Sequence, residues 1–166
     1  SGWLGLLGSP TPDRRLLLTE LLTPDRIKVP LEAGDKPGVI RELTQLLAER
    51  SGGDPARILA AVEEREQVLS TGIGYGIAIP HAKSATIHEL QLVCGSRPVG
   101  VPFDALDGEP VRLFFLLVGP EGAAGLHVKA LSRIARVVRR EVVREALLRA
   151  QTPAEFHQVL VEAEER

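Results

Sequence analysis

Apolar residues recur at helical spacing in several long stretches of the chain. The first stretch predicts a helix over residues 36–50 that Gly52 ends. Its apolar positions share one face that should pack on the core: Val39, Ile40, Leu43, Leu46 and Leu47. Asp54 is an N-cap acceptor and Pro55 is the residue favoured at the first helical position, so they predict a second helix over 55–68. The side chains of Ile58, Leu59 and Val62 should face the core.

Three further helices are predicted in the last third of the chain. They cover residues 123–140, 140–150 and 153–165, and Pro153 marks the start of the last one. On the first of them, the predicted core face carries these residues: Leu126, Ala130, Ile134 and Val137 or Val138. A short amphipathic helical turn over 14–22 precedes all the long helices.

Strand patterns lie between the early and late helices. Residues 26–31 alternate between apolar and charged side chains, and Pro30 indicates an edge or a strand end. Residues 90–95 and 111–119 predict two more strands, and the second is apolar on both faces, as a central strand would be. Helices on both sides of a group of strands predict one layered domain of the α/β or α+β class.

The composition excludes several classes of partner. The 166 residues fit one domain, and a net charge of −2 gives no overall attraction to nucleic acid or to an anionic membrane. The longest apolar run, residues 113–119, is far shorter than the roughly 20 residues of a membrane helix, so direct membrane insertion is not expected. Cys94, the only cysteine, allows no internal disulfide, is expected to be a buried inert thiol, and agrees with a reducing cytoplasm.

The segment STGIGYGIAIPHA, residues 70–82, carries the chemistry. Glycines at alternate positions do not suit a strand interior, so Gly72, Gly74 and Gly76 predict a tight turn or a close approach to another group. An anion is one candidate for that group, because exposed backbone amides cradle phosphate and the hydroxyls of Ser70 and Thr71 would add donors. The predicted phosphate loop consists of Ser70, Thr71, Gly72, Gly74 and Gly76.

His81 follows this segment on a backbone that Pro80 stiffens. A neutral imidazole can attack phosphorus directly if one ring nitrogen is free and cations lie near the phosphoryl oxygens. By itself, a single loop histidine is more often a surface or hydrogen-bonding residue. The residues around it decide between these interpretations.

The segment from Glu66 through Ala82 resembles the phosphorylation-site signature of the IIA proteins of the phosphoenolpyruvate-dependent phosphotransferase system (PTS), fructose/mannitol type. The resemblance covers residues 17–163 and implies a three-layer sandwich in which helices flank a central mixed β-sheet. Residues 101–120 are similar to the nitrogen-regulatory branch. Residues 1–16 match nothing in the family, and are expected to be a flexible lead-in or a remnant of cloning.

The resemblance also implies roles for individual residues. His81 would be the phosphoryl acceptor, Arg65 matches the family's active-site arginine, and His127 its second active-site histidine. The donor would be phosphorylated HPr or a paralogue, and no metal or other cofactor would be needed. Two functions share this chemistry: a regulator whose phosphorylation state alters binding to a target protein, or a transport component that passes the group to a IIB cysteine. The residues 119–125, rich in glycine and alanine, depart from the family pattern.

Other functions find little support in the sequence. His88 and His157 are expected at the surface, and no ligand spacing points to a metal site. No G-x-S-x-G turn supports a serine hydrolase, and the pair Glu63-Glu64 is expected on a solvated helix face. The basic residues over 139–149 lack interleaved aromatic residues, so they predict an ordinary surface and not a nucleic-acid platform.

Overall fold

Six strands form one mixed sheet within residues 16–165, the part of the chain that the computed structural model describes. The strands are β1 (Ile27–Lys28), β2 (Gly72–Gly74), β3 (Ile77–Ala78), β4 (His81–Lys83), β5 (Gln91–Val101) and β6 (Val111–Gly119). Their order is β1-β5-β6-β3-β2, and β4 also pairs with β6. The pairs β1·β5, β3·β6 and β4·β6 are parallel, whereas β5·β6 and β2·β3 are antiparallel.

Five α-helices cover this sheet in the same described range. They are α1 (Lys36–Ser51), α2 (Pro55–Val68), α3 (Ala124–Val138), α4 (Glu141–Arg149) and α5 (Pro153–Glu164), and two short 3-10 helices, Leu18–Glu20 and Pro24–Arg26, precede them. Local caps explain the starts of the three helices that begin at or beside a proline. Asp35, Asp54 and Thr152 each accept a hydrogen bond from a backbone N–H in the first turn.

The central strand β6 contributes to two separate hydrophobic clusters, one on each face of the sheet. Leu113, Phe115 and Leu117 pack with α3, α4 and α5, whereas Phe114 and Leu116 pack with α1 and α2. Successive side chains of a strand point to opposite faces, so a strand buried on both sides must be apolar at every position. The molecule is therefore the three-layer sandwich with a central mixed sheet that the family resemblance implies.

Most element predictions are confirmed, but the core face of α3 and the segment of alternating glycines need correction. Leu126 was expected on the core face of α3 but is 36% exposed, because the helix turns His127, only 5% exposed, toward the core instead. The alternating glycines were expected outside a strand, yet Gly72–Gly74 forms β2. The structure accommodates these glycines through an irregular register between Gly72 and Gly74 and a positive φ at Gly74.

Several smaller expectations concern single residues or segments. Cys94 is buried in β5 as predicted, and burial raises the pKa of its thiol. β1 lies at one edge of the sheet, as expected, but covers only Ile27–Lys28 of the predicted residues 26–31, while β5 runs on to Val101, well past the predicted end. Residues 1–15, nearly all of the predicted lead-in, lie outside the described residues. No helix within residues 16–165 has the length and apolar character needed to cross a membrane.

Candidate functional site

His81 lies where two strands of the sheet end side by side. It opens β4 and pairs with Leu117 of β6, and the two parallel strands end together at Lys83 and Gly119. The chain leaves β6 through a short loop and enters α3, whose first turn carries His127. This local topology brings the two imidazoles together, with ring centroids 5.6 Å apart and ring planes at 62°.

One nitrogen of His81 is fixed by the backbone. Nδ1 lies 2.8 Å from the carbonyl oxygen of Ile79, and because a carbonyl only accepts hydrogen bonds, Nδ1 must carry the hydrogen. Burial lowers the pKa of His81 most, and the charge of Arg65 lowers it further, while the bond to Ile79 and the charge of Glu66 act in the opposite direction. The ring is therefore mainly neutral at pH 7, with its lone pair on Nε2.

His127 is held neutral more strongly. Burial, followed by the charges of His81 and Lys83, lowers its pKa to about 4. Its Nδ1 is buried and has no hydrogen-bond partner among residues 16–165. Gly119 packs closely against this atom, since a Cβ added to that glycine would lie only 3.3 Å from Nδ1. A buried N–H without an acceptor is costly, so the single hydrogen of the neutral ring belongs on Nε2. His127 can then donate from Nε2 to an anion in the cleft.

The two histidines line a cleft of about 480 Å³. Its other walls come from the end of α2 and from β4: Ala61, Glu64, Arg65, Val68, Ala82 and Lys83. Arg65 is oriented by a hydrogen bond of 2.8 Å from its Nη1 to the carbonyl oxygen of Leu69, just after the helix ends. The basic side chains of Arg65 and Lys83 thus line the same cleft as a neutral histidine that has a free nitrogen. Such an arrangement suits a phosphoryl group, whose negative oxygens need positive charge nearby.

Lys83 is a member of the site that the sequence reasoning did not include. It lies on β4 two residues after His81, and residues at this spacing share one face of a strand. That periodicity, applied to the segment after the histidine, would have identified it.

The structure does not bring the predicted phosphate loop into the cleft. Gly74 and Gly76 flank the tip of the β2-β3 hairpin, and β3 pairs with Leu113 and Phe114, at the opposite end of β6 from the site. The hydroxyl of Ser70 donates to the carbonyl oxygen of Phe103 at 2.9 Å.

The remaining loop groups also have partners within the chain. The hydroxyl of Thr71 bonds Glu66, and the Gly72 N–H donates to Ser70. At the hairpin tip, a carboxylate oxygen of Asp107 accepts a hydrogen bond from the Tyr75 N–H. The negative charge of this carboxylate disfavours the binding of an anion there. Phosphate binding by these residues stays a prediction, and their contacts give it no support.

The other two histidines lie outside the cleft. His88 is exposed, as expected, whereas His157, also expected at the surface, is half-buried on α5. Among the described residues there is no group of three or more His, Cys, Asp or Glu side chains placed to hold a metal ion.

The fold and the site define a class of protein: a three-layer α/β unit that presents two histidines and an arginine in one cleft. The crystal structure of the nitrogen regulatory protein IIA-Ntr from Neisseria meningitidis matches this fold with a TM-score of 0.81 at 33% identity, covering 86% of this chain and 98% of that chain. IIA mannitol from Escherichia coli matches with a TM-score of 0.74 at 22% identity, covering 84% and 98%. At that identity, the second likeness concerns the fold alone.

The sequence then assigns the family. The profile described as "Phosphoenolpyruvate-dependent sugar phosphotransferase system, EIIA 2" matches residues 20–163, so the chain belongs to this family and the predicted resemblance is confirmed. It is 33% identical over 143 residues to a nitrogen regulatory protein of Bradyrhizobium diazoefficiens, covering 86% of this chain and 94% of that protein. It is 40% identical over 137 residues to the PTS system fructose-specific EIIABC component of Bacillus subtilis, covering 81% of this chain but only 21% of the longer protein.

Proposed function

We propose that His81 accepts a phosphoryl group from the phosphohistidine of a carrier protein, HPr or its nitrogen-branch paralogue. The observation that carries this proposal is the hydrogen bond from Nδ1 of His81 to Ile79, which leaves Nε2 as the nucleophile. The family's phosphotransfer role and the paired cations of the cleft support it.

The transfer step requires no proton movement at the acceptor. The Nε2 lone pair of His81 forms a bond to phosphorus as the phosphorus–nitrogen bond of the donor breaks, and its electron pair returns to the donor imidazole. His81 keeps the hydrogen on Nδ1, so the Ile79 carbonyl stabilises the positive charge of the phosphorylated ring. Arg65, Lys83 and the Nε2–H of His127 stabilise the phosphoryl oxygens while the group passes in line between the two rings.

The test is phosphoryl uptake from labelled phosphoenolpyruvate in the presence of enzyme I and HPr, or of the organism's own paralogues. The protein should take up one acid-labile, base-stable phosphoryl group, and His81→Ala should take up none. His88→Ala, which changes an exposed histidine outside the cleft, is the matched control and should behave as wild type. Full uptake by His81→Ala would refute the assignment of the acceptor.

We propose further that the phosphorylation state of His81 regulates a target protein. The relatives support this: the Bradyrhizobium nitrogen regulatory protein, and a nitrogen regulatory protein of Pseudomonas aeruginosa at 36% identity over 148 residues, are matched over 94% and 96% of their lengths. The alternative is transport, in which the group passes to a IIB cysteine during fructose/mannitol-type uptake. A structure of IIA mannitol with phosphorylated IIB mannitol from Escherichia coli shares the fold.

Adding IIB domains to the phosphorylated protein separates the two functions. A regulator should keep its phosphoryl group over the time in which a fructose-specific IIA domain, run in parallel as the control, is discharged. Equally rapid discharge to a IIB cysteine would establish the transport function instead.

A further inference from the structure

Glu66 is a buried carboxylate whose two oxygens both hold Thr71. Oε2 accepts from the backbone N–H of Thr71 at 2.9 Å, and Oε1 accepts from its hydroxyl at 2.5 Å. Thr71 is 4% exposed and Glu66 is 7% exposed, so water competes little for these bonds. Thr71 is thereby fixed to the end of α2, five residues away in sequence.

The hydrogen bonds continue from Thr71 to the ring of His81. The carbonyl oxygen of Thr71 accepts from the N–H of Ile79 at 3.0 Å, and the carbonyl oxygen of Ile79 faces Nδ1 of His81 at 2.8 Å. A continuous series of hydrogen bonds therefore joins the His81 ring to Glu66, a side chain that does not line its cleft.

Lys36 completes the anchor from a different helix. Its Nζ lies 2.8 Å from Oε2 of Glu66, 3.3 Å from the carbonyl oxygen of Phe103 and 4.7 Å from the centre of the Phe103 ring. A buried carboxylate without a counter-charge would be strongly destabilised, so the lysine stabilises Glu66 where it bonds both donors of Thr71.

We propose that Glu66, held by Lys36, is a positioning residue that fixes the ring of His81 for phosphoryl transfer through Thr71 and Ile79. A misplacement of about 1 Å in a reacting group can cost a hundredfold in rate, so a loosened ring should transfer more slowly. The inference rests on the proposed role of His81, but its first test does not require phosphorylation.

The first test is ¹⁵N NMR of the unphosphorylated protein, which reports the tautomer of each histidine. Wild type should show His81 with its hydrogen on Nδ1. Glu66→Gln offers one acceptor oxygen in place of two, and Thr71→Val removes the hydroxyl, so both should give a mixture of tautomers. Glu63→Gln removes the same charge one turn earlier on α2 and should match wild type, as should Thr71→Ser, which keeps the hydroxyl.

The second test is the rate of phosphoryl uptake at increasing donor concentration. Glu66→Gln and Thr71→Val should lose about tenfold in the saturating rate with an unchanged KM for the donor, because the ring is misplaced while the donor's docking surface is intact. Lys36→Met should have the same effect and Lys36→Arg a smaller one. Because Lys36 is partly exposed, the two Lys36 variants can be used for this test if a change at the buried Glu66 prevents folding.

Two results would overturn the proposal. One is a single Nδ1 tautomer with wild-type rates in Glu66→Gln, Thr71→Val and Lys36→Met. The other is a slower rate with the His81 tautomer unchanged, which would show that Glu66 acts by another route. If wild type itself takes up no phosphoryl group, the proposed function fails, and the NMR comparison still decides whether Glu66 positions the ring.

Discussion

At the scale of single residues, the site depends on two histidines that stand 5.6 Å apart in unlike environments. His81 is partly buried and has its Nδ1 bonded to a carbonyl, so it presents one free nitrogen with a lone pair. His127 is almost fully buried, and its Nδ1 has no partner among the described residues. These environments support the proposed roles, in which the His81 ring is the nucleophile and the His127 ring is the hydrogen-bond donor.

The stability of the protein should fall on acidification because of His127. Its folded-state pKa of about 4 lies below the value near 6.5 of an unfolded chain, so between these values the unfolded chain binds more protons. The free energy of unfolding should be at its full value above about pH 6.5 and decline as the pH falls toward 4. The lowered pKa of His81 acts in the same direction.

For a pKa of about 4 we expect the contribution of His127 to the free energy of unfolding to be about 3 kcal/mol over this pH range. Urea unfolding of wild type, His127→Gln and the exposed control His88→Gln at several pH values would measure it. His127→Gln should have a visibly flatter pH dependence than the other two. Equal slopes in all three proteins would show that the buried ring is not held neutral.

Loss of the His127 side chain should impair transfer without abolishing it. His127→Ala keeps the nucleophile but lacks a hydrogen bond to the phosphoryl oxygens, and a bond to a charged group contributes about 1.5–3 kcal/mol. We expect uptake in the phosphoenolpyruvate assay to be about tenfold to a hundredfold slower. Wild-type transfer kinetics would reduce His127 to a structural role.

The family resemblance singled out His81, Arg65 and His127, and the structure places all three around one cleft. Their roles stay predictions, and Lys83, which lines the same cleft, was not included. Whether Ser70 and Thr71 reach an anion depends on what else bonds their hydroxyls, and those partners, Phe103 and Glu66, are known only once the chain is folded.

At the scale of elements, the glycines of the hairpin serve close packing inside the chain. The sequence correctly predicted a close approach at Gly72, but the neighbour is the chain's own Ala105 and not a ligand. A Cβ at Gly72 would lie 2.8 Å from the Cβ of Ala105 and 2.9 Å from its Cα. Helix starts were predictable because caps such as Asp54 are local, whereas the packing of Gly72 depends on Ala105, more than thirty residues away in sequence.

Gly72→Ala should therefore destabilise the protein. The nearest atoms include backbone that cannot move aside easily, and overpacking of this kind costs about 1–3 kcal/mol. Gly125→Ala is the control, because a Cβ there meets nothing within 4 Å and the site lies in the first turn of α3. Urea unfolding should show a lower midpoint for Gly72→Ala only; equal stability of the two variants would contradict the packing argument.

At the scale of the whole molecule, one buried carboxylate joins the first and last described elements. Glu164, near the end of α5, accepts from the N–H groups of Leu18 and Thr19, from the Thr19 hydroxyl and from Nε of Arg133. Its side chain is only 2% exposed. The carboxylate thereby caps the first 3-10 helix and ties it to α3, on the helical layer that also carries His127.

Glu164→Ala should lower the free energy of unfolding by about 3–5 kcal/mol, since it leaves Arg133 and two amides without their shared acceptor. Glu165→Ala, at the next and exposed position, is the control and should change stability little. Thermal and urea unfolding measure both variants. Phosphoryl uptake by the folded Glu164→Ala protein at low temperature should be unchanged, because Glu164 does not line the cleft. A free energy of unfolding equal to that of wild type would contradict the stabilising role of Glu164.

The most direct test of the central claim is to locate the phosphoryl group on the protein. After enzymatic phosphorylation of ¹⁵N-histidine-labelled protein, NMR detects the coupling between phosphorus and the nitrogen that carries it. The fixed Nδ1–H of His81 predicts a single phosphoryl group on Nε2 of that ring. Phosphorus coupled to Nδ1 of His81, or to either nitrogen of His127, would contradict the account.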